Sequence, residues 1–428
     1  MNVVFFAIVV IAFAVAAVRQ VWAPAGSDAA APMDVLAEAM VETASSSVSL
    51  ALGLIGVMAL FLGLMKVAEA GGLLVIIART VRPLMVRLFP DVPPDHPAMG
   101  AMILNLSANA MGLGNAATPF GIRAMQELNK LNPVKGTATN AMVLFLAVNT
   151  SSVTLLPTGV IAIRAAAGSA EPAAIVPTTL FATIVSTTTA ILAAKLYQRF
   201  TKAPEPTLEG KRDFAVDKPE DDAADEIGAG YPAWVSFVVL GGIAALIPLT
   251  IAYGREIAPW IIPGLMVALL TFGFARGVRV YEVFVEGARD GFEVAVRIIP
   301  YLVAILVAVG MFRASGAMDL LVQPLGAITR LVGLPPEALP MALLRPLSGS
   351  GAYGIMVSII QDPAIGPDSY VGLLVSTLQG STETTFYVLA VYFGAVQIRR
   401  IRHALAAGLT ADFAGVVGAV AICLYLFG

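Results

Sequence analysis

Histidine, cysteine and charge are all scarce in this 428-residue chain, and each scarcity closes off a class of function. The two histidines, His96 and His403, fall in expected loops or at span ends. A buried Ser–His dyad therefore has no base, and no His/Asp/Glu cluster has zinc spacing. The single cysteine, Cys423, lies in an apolar run, so neither a disulfide within the chain nor a thiolate metal site can form. The phosphate-cradling pattern GxxxxGK followed by Ser or Thr is missing, which argues against ATP hydrolysis. Charged residues make up 13% of the chain, against roughly a quarter in soluble domains. The net charge of -3 comes without any basic cluster interleaved with aromatics, so nucleic acid is not an expected partner. No enzyme activity, cofactor or metal centre is expected.

What fills the chain instead is apolar sequence: 58% hydrophobic residues and a mean hydropathy of +0.84. The expected class is an all-α polytopic membrane protein. Since a span needs about 20 apolar residues, helices are predicted near 2–19, 46–65, 137–157, 176–197, 233–253, 259–275, 295–312, 370–395 and 411–427, nine in all. The first run resembles a signal-peptide core ending at Ala23-Pro-Ala25, but no Lys or Arg precedes it, so a retained helix is expected. Two further apolar stretches, 98–121 and 339–360, are cut by glycine and polar residues and are read as re-entrant hairpins. Arg79 to Phe89 and Met318 to Val332 mix basic and apolar residues as interfacial amphipathic helices do. Residues 200–230, with Pro204, Pro206, Pro219 and the acidic run Glu220 to Glu226, form a solvated linker between two halves, 1–199 and 231–428.

Basic residues orient the spans. Placing Lys195, Arg199 and Lys202 in the cytoplasm also places Lys66, Arg79, Arg82, Arg87, Arg123, Lys130, Lys135, Arg276, Arg279, Arg289 and Arg399 to Arg402 there. Arg19, Arg164, Arg255, Arg313 and Arg330 disagree. On this reading the N-terminus and linker are cytoplasmic and the C-terminus lies outside a bacterial inner membrane. The two hairpins enter from opposite faces, making the halves inverted repeats of a transporter kind. Ala68 to Gly71 corresponds to Arg313 to Gly316, and Pro83-Leu84 with Pro93-Pro94 to Pro324-Leu325 with Pro335-Pro336.

Each half also carries the same pair of polar interruptions. They are Asn105-Leu-Ser-Ala-Asn-Ala-Met-Gly112 with Asn149-Thr-Ser-Ser-Val-Thr154, and Pro346-Leu-Ser-Gly-Ser-Gly-Ala-Tyr-Gly354 with Gln379-Gly-Ser-Thr-Glu-Thr-Thr385. A helix that stops inside a membrane leaves N–H and C=O groups facing the gap, and glycine lets a ligand approach them. Asn105, Ser107, Asn109, Ser348 and Ser350 are therefore expected at hairpin tips. Asn149, Ser151, Ser152 and Thr154 would face Gln379, Ser381, Thr382, Glu383 and Thr384 in one composite solute site. The bland alternative is that small polar residues simply pack helices closely. A carboxylate at membrane depth costs on the order of 2.5 to 3.5 kcal/mol, so Glu383 needs a cavity, a proton, a sodium ion or a partner, Arg345 being the nearest candidate. Val153 at the matching place makes the site asymmetric. Met99, Met102 and Met111 read as core filler.

These motifs resemble a known family. Leu106 to Gly121 and Asn149 to Pro157 resemble spore maturation protein A, and Arg345 to Gly354 with Gln379 to Tyr387 resemble spore maturation protein B. Both halves resemble the nucleoside recognition, or gate, domain related to concentrative nucleoside transporters. The resemblance implies a hairpin-containing membrane fold, movement of a small polar and nucleoside-like solute, and oligomers, since relatives of this fold often assemble. It also implies that a partnership usually made by two chains is here intramolecular. A secondary transporter is the expected function. The alternative is a membrane scaffold or regulator in envelope or spore maturation.

Overall fold

The computed structural model describes residues 2–22, 31–112, 114–151, 154–201, 230–318, 320, 326 and 328–428, with the side chains of some helical residues, Ser350 among them, left aside. Ser152, Val153, the cleavage-like Ala23-Pro-Ala25, the acidic linker run, Pro324-Leu325 and much of 318–332 lie outside the described residues. The described chain is helical. Its first half holds α1 (Asn2–Val21), α2 (Pro32–Ala70), α3 (Leu73–Leu88), α4 (Pro97–Ala110), α5 (Gly114–Lys130), α6 (Asn140–Ser151), α7 (Thr158–Ala166) and α8 (Ile175–Tyr197). Its second half holds α9 (Ala233–Ala275), α10 (Val280–Ala314), α11 (Leu339–Leu344), α12 (Gly349–Ile360), α13 (Tyr370–Ser381), α14 (Thr385–Val388) and α15 (Ala404–Phe427).

The order of elements repeats. In each half a long helix ends in a glycine turn, then come a hairpin, a helix broken near its middle, and a final apolar helix. By length and apolar composition Pro172–Tyr197 and Ala404–Phe427 are long enough to cross a bilayer, and Ile55–Ala70 of α2 with Leu73–Leu88, bent by 68°, is a further candidate among the described residues. Helix α2 starts at Pro32, well before the predicted 46, so much of the stretch expected to connect the first two spans is helical. Hydropathy sets where a span begins, whereas Pro32 at the first turn and Asp34 against the helix dipole set where the helix begins. Helix α10 likewise extends back to Val280 through charged turns.

Residues 233–275 are helical throughout, where two spans are predicted. A straight helix would hold Ser236 and Arg276 about 60 Å apart. Yet Ser236 Oγ donates to Thr80 O and Arg276 Nε donates to Gly71 O at 3.0 Å. Those two carbonyls belong to neighbouring stretches within about 20 Å of each other, so α9 folds back on itself.

Helices α2 and α10 form the most extensive helix pair. They run antiparallel, with Gly287 against Leu62 and Gly63, Gly291 against Ala59, and Gly310 against Thr43. Small residues let membrane helices approach closely. The first helix of each half packs on the other half's long helix. Ala12 and Ala16 bury against Met311 and Phe312, and Leu269 against Leu64, Met65 and Ala68. The two main cores are exchanged in the same way. The core around α4, α5 and α6 takes in Val388, Tyr392 and Phe393, while the core around α11, α12 and α13 takes in Val160, Ile161 and Ile163.

Loops assigned by charge to one side lie together. Arg399 and Arg400 donate their main-chain N–H groups to Gly136 O, and Arg402 reaches Ala138 O and Thr201 O. Elsewhere, buried Arg164 pairs with Asp368 at 2.9 Å and Arg313 pairs with Asp362. Two arginines that break the positive-inside pattern thus have local acids to balance them.

Candidate functional site

Both predicted interruptions are real breaks. Helix α6 stops at Ser151, and α7 starts at Thr158 after Pro157, whose fixed φ and missing N–H forbid continuing the helix unbroken. Helix α13 stops at Ser381; Thr382 and Thr384 are extended, with φ, ψ of -138, 162 and -85, 100, before α14 begins at Thr385. The two breaks cross, because the Glu383 N–H donates to Thr150 O at 2.7 Å.

Each hairpin tip is stitched to the break of its own half. Leu155 N–H donates to Ala110 O at 3.0 Å, and Phe386 N–H donates to Pro346 O at 3.1 Å. The first tip turns at Gly112, which has φ +78 and whose absent Cβ would sit 2.6 Å from Leu156 O. Only glycine meets both conditions. At the second tip Ser348 caps α12, its Oγ accepting from Gly351 N–H at 3.0 Å.

The predicted residues separate into two clusters. In the first, Asn109 Nδ2 donates to Asn149 Oδ1 at 3.0 Å, and Asn149 Nδ2 donates to Phe145 O. Tyr392 completes it. Its hydroxyl accepts from Asn105 Nδ2 at 3.1 Å and donates to Asn149 Oδ1 at 3.4 Å, while its ring stacks on Phe145 with centroids 6.0 Å apart. One phenol from the second half thus joins the first hairpin to the first break.

The second cluster forms around Arg345, whose side chain is 6% exposed. Its guanidinium donates to Thr384 Oγ1 at 2.9 Å, to Gln379 O at 3.2 Å and to Thr382 O, and lies 3.9 Å from the Glu383 carboxylate, which is 46% exposed. The carbonyls freed by the second break are therefore held by an arginine fork, which suits several acceptors at once. At the first break Ser151 O accepts from Thr183 Oγ1 at 2.9 Å. The expectation of unpaired main-chain carbonyls is corrected for these groups: side chains from neighbouring elements complete them.

Ser151 and Ser381 turn their hydroxyls back onto Val148 O and Leu378 O, an internal role rather than a ligand-facing one. Thr154 lies half-buried in the first break. Among the described residues, Thr329 Oγ1 and Arg402 Nε are buried without a protein partner away from the breaks, and six more such atoms lie near them: Asn105 Oδ1, Ser107 Oγ, Thr179 Oγ1, Gln379 Oε1, Arg345 Nε and Asp412 Oδ1. Such atoms are uncommon in folded interiors and ask for a polar occupant. The six come from the first hairpin, the second hairpin, the second break and the two helices behind it. Two open apolar grooves, of about 460 and 410 Å³, lie along α1 instead, lined by residues such as Val15, Gly316, Phe13 and Leu36.

Sequence reasoning missed Tyr392 and Asp412. Tyr392 sits in an apolar run where a tyrosine reads as core. Asp412 is a lone acid within the last apolar helix, the signal that singled out Glu383.

Two hairpins, two crossing broken helices and long apolar helices define a helical membrane protein. The family model for nucleoside recognition matches residues 51–167 and 295–399, which hold both hairpins and both breaks; the chain belongs to that family. It is 46% identical to spore maturation protein B of Bacillus subtilis over 177 residues, 40% of this chain and 98% of that one. It is 49% identical to spore maturation protein A of the same organism over 160 residues, 37% of this chain and 82% of that one. Relatives of both kinds each match part of the chain, consistent with a fusion. A solved structure of CNTnw in an outward-facing state is similar with a TM-score of 0.47 and 12% identity, over 99% of this chain and 91% of that one.

Proposed function

We propose that the chain is a membrane transport protein that moves a small polar, nucleoside-like solute past the crossing of its two broken helices, between the two hairpin tips. The observation that carries this reading is the Glu383–Thr150 main-chain contact at 2.7 Å, with buried polar atoms left without protein partners on several of the elements that meet there. Broken helices at membrane depth are tolerated where protein or a cavity satisfies the backbone, and such paired breaks are characteristic of transporter binding sites. Ser107, Gln379, Thr384 and the exposed edge of Glu383 are the contacts for a hydroxylated solute, with Asn105, Asn109, Asn149 and Tyr392 shaping the wall. The charge pattern supports a cytoplasmic N-terminus and linker, an outside C-terminus, and hairpins entering from opposite faces. It is not an enzyme on this reading.

The test is uptake into proteoliposomes of a panel of labelled nucleosides and other small polyols. Uptake by the native chain that falls on Glu383→Gln or Tyr392→Phe supports transport. A second reading, a non-transporting scaffold, is favoured by Arg345 already occupying the carbonyls of the second break. Absence of uptake across the panel, with a folded protein and intact assembly with envelope partners, would establish that second reading.

A further inference from the structure

The last helix carries a carboxylate to which the proposed solute path assigns no contact. Asp412 lies within α15 and is 4% exposed. Its Oδ2 accepts from Thr385 Oγ1 at 2.6 Å, and its Oδ1 has no partner among the described residues. Gly408, one turn before, brings α15 against Thr385 and Thr150; Gly415, one turn after, brings it against Thr382 and Ser186. Hydroxyls from the first break, the second break and α8 therefore line this face of α15.

The charged and titratable groups nearby leave the acid unpaired among the described residues. Arg345 forms no ion pair with it, its guanidinium being engaged by Thr384 and the break carbonyls. On the elements packed against α15, Tyr197 of α8 bonds Thr410, Tyr370 of α13 bonds Gly333 O, Tyr387 of α14 is exposed, and Lys195 sits at the end of α8. Helix α6 brings no titratable group, and Cys423 on α15 itself bonds Thr377. An ionised carboxylate buried with one hydrogen bond is strongly unfavourable. The packing about Gly408 and Gly415 is tight, with absent Cβ positions 2.9 and 2.7 Å from threonine methyls, so the neutralising species that fits is the smallest one.

We propose that Asp412 is a proton-carrying site, neutral while the breaks are packed as here and deprotonated when the second break opens. A proton on Oδ1 removes the charge and leaves Oδ2 to accept from Thr385. Thr385 is the first residue past the break at Thr382–Thr384, so movement of that break withdraws the carboxyl's one partner and admits water to receive the proton. This inference rests on the transport reading for its purpose, though not for its detection.

Infrared difference spectroscopy on the full chain in lipid nanodiscs tests it directly. The native protein at neutral pH should show the carbonyl stretch of a protonated carboxylic acid. Asp412→Asn should remove it, while Glu383→Gln should leave it. Because an amide replaces a neutral acid isosterically, Asp412→Asn should melt at the native temperature. A band absent from the native protein, a band that survives Asp412→Asn, or a marked loss of stability in that variant would overturn the proposal. A band present in choline chloride and abolished by sodium chloride would also overturn it, assigning a metal cation in place of the proton. A band that behaves as expected in a protein showing no uptake would keep the proton site and remove the transport reading. With transport present, uptake driven by a pH gradient should be lost in Asp412→Asn.

Discussion

The Glu383 amide donates to the Thr150 carbonyl across 2.7 Å, so the two broken helices meet through their main chains and not through the acid that marks the second one. Backbone contact leaves the carboxylate available, half-exposed and 3.9 Å from Arg345.

Replacing that carboxylate should consequently separate stability from function. Glu383→Gln keeps the main-chain hydrogen bond and leaves an amide oxygen facing the buried guanidinium, so its unfolding free energy should fall by only about 1 kcal/mol. Solute uptake should nonetheless fall at least several-fold. Melting temperature and initial uptake rate, measured on the same preparation, check the pair.

Arg345 should behave in the opposite way. Its guanidinium completes Gln379 O, Thr382 O and Thr384 Oγ1 inside the fold. Arg345→Ala leaves these acceptors buried and unpaired, at a cost of about 3 kcal/mol. Arg345→Lys should recover only part of the loss, since one ammonium cannot span the same acceptors in the arginine's planar geometry. Thermal unfolding of both variants gives the order.

The turn of the first hairpin offers an internally controlled comparison. Gly112 and Gly136 share φ +78, but an added Cβ would meet Leu156 O at 2.6 Å at the first and nothing within 4 Å at the second. Gly136→Ala should cost about 1 kcal/mol, the left-handed backbone term alone. Gly112→Ala should cost clearly more, and the difference in melting temperature measures the clash.

Removing one hydroxyl should loosen the link between halves. Tyr392→Phe keeps the stack on Phe145 but leaves Asn105 and Asn149 each short of a partner. Because Asn105 Nδ2 keeps its bond to Ala117 O and Asn149 Oδ1 keeps its bond from Asn109, a loss of about 1 kcal/mol follows. Asn105→Ala combined with Tyr392→Phe should cost less than the sum of the two single changes, a double-mutant cycle that isolates their contact.

Stability should also depend on His403. Burial, reinforced by the neighbouring Arg402, holds its imidazole down at about 4 from an ordinary 6.5, and its ring nitrogen contacts Thr201 Oγ1 at 2.8 Å. Between these values the unfolded chain binds the proton and the folded chain does not. The contribution is therefore fully present above 6.5 and is lost as pH falls from 6.5 towards 4. Melting temperatures at pH 7.5 and 5 should differ less in His403→Gln than in the native chain.

Much of this was legible in the sequence because the physics involved is local. Small polar residues and glycines inside apolar runs announced both breaks and both hairpins. The crossing of the two breaks, by contrast, is a contact between residues more than two hundred positions apart, and no periodicity encodes it. Arg345 was read as a partner for Glu383; its larger role, closing Gln379 O and Thr382 O, depends on where the second hairpin docks. Tyr392 was invisible because only its hydroxyl distinguishes it from core aromatics. Arg164 looked like a topology exception because Asp368, the acid that balances it, is distant in sequence.

The exchanged cores carry a consequence for assembly. Because Val160 to Ile163 complete one hydrophobic centre and Val388 to Phe393 the other, neither half encloses an interior of its own. Separately synthesised counterparts built this way would have to find each other before either finished folding. Joining them in one chain makes that encounter intramolecular and fixes their ratio at one to one.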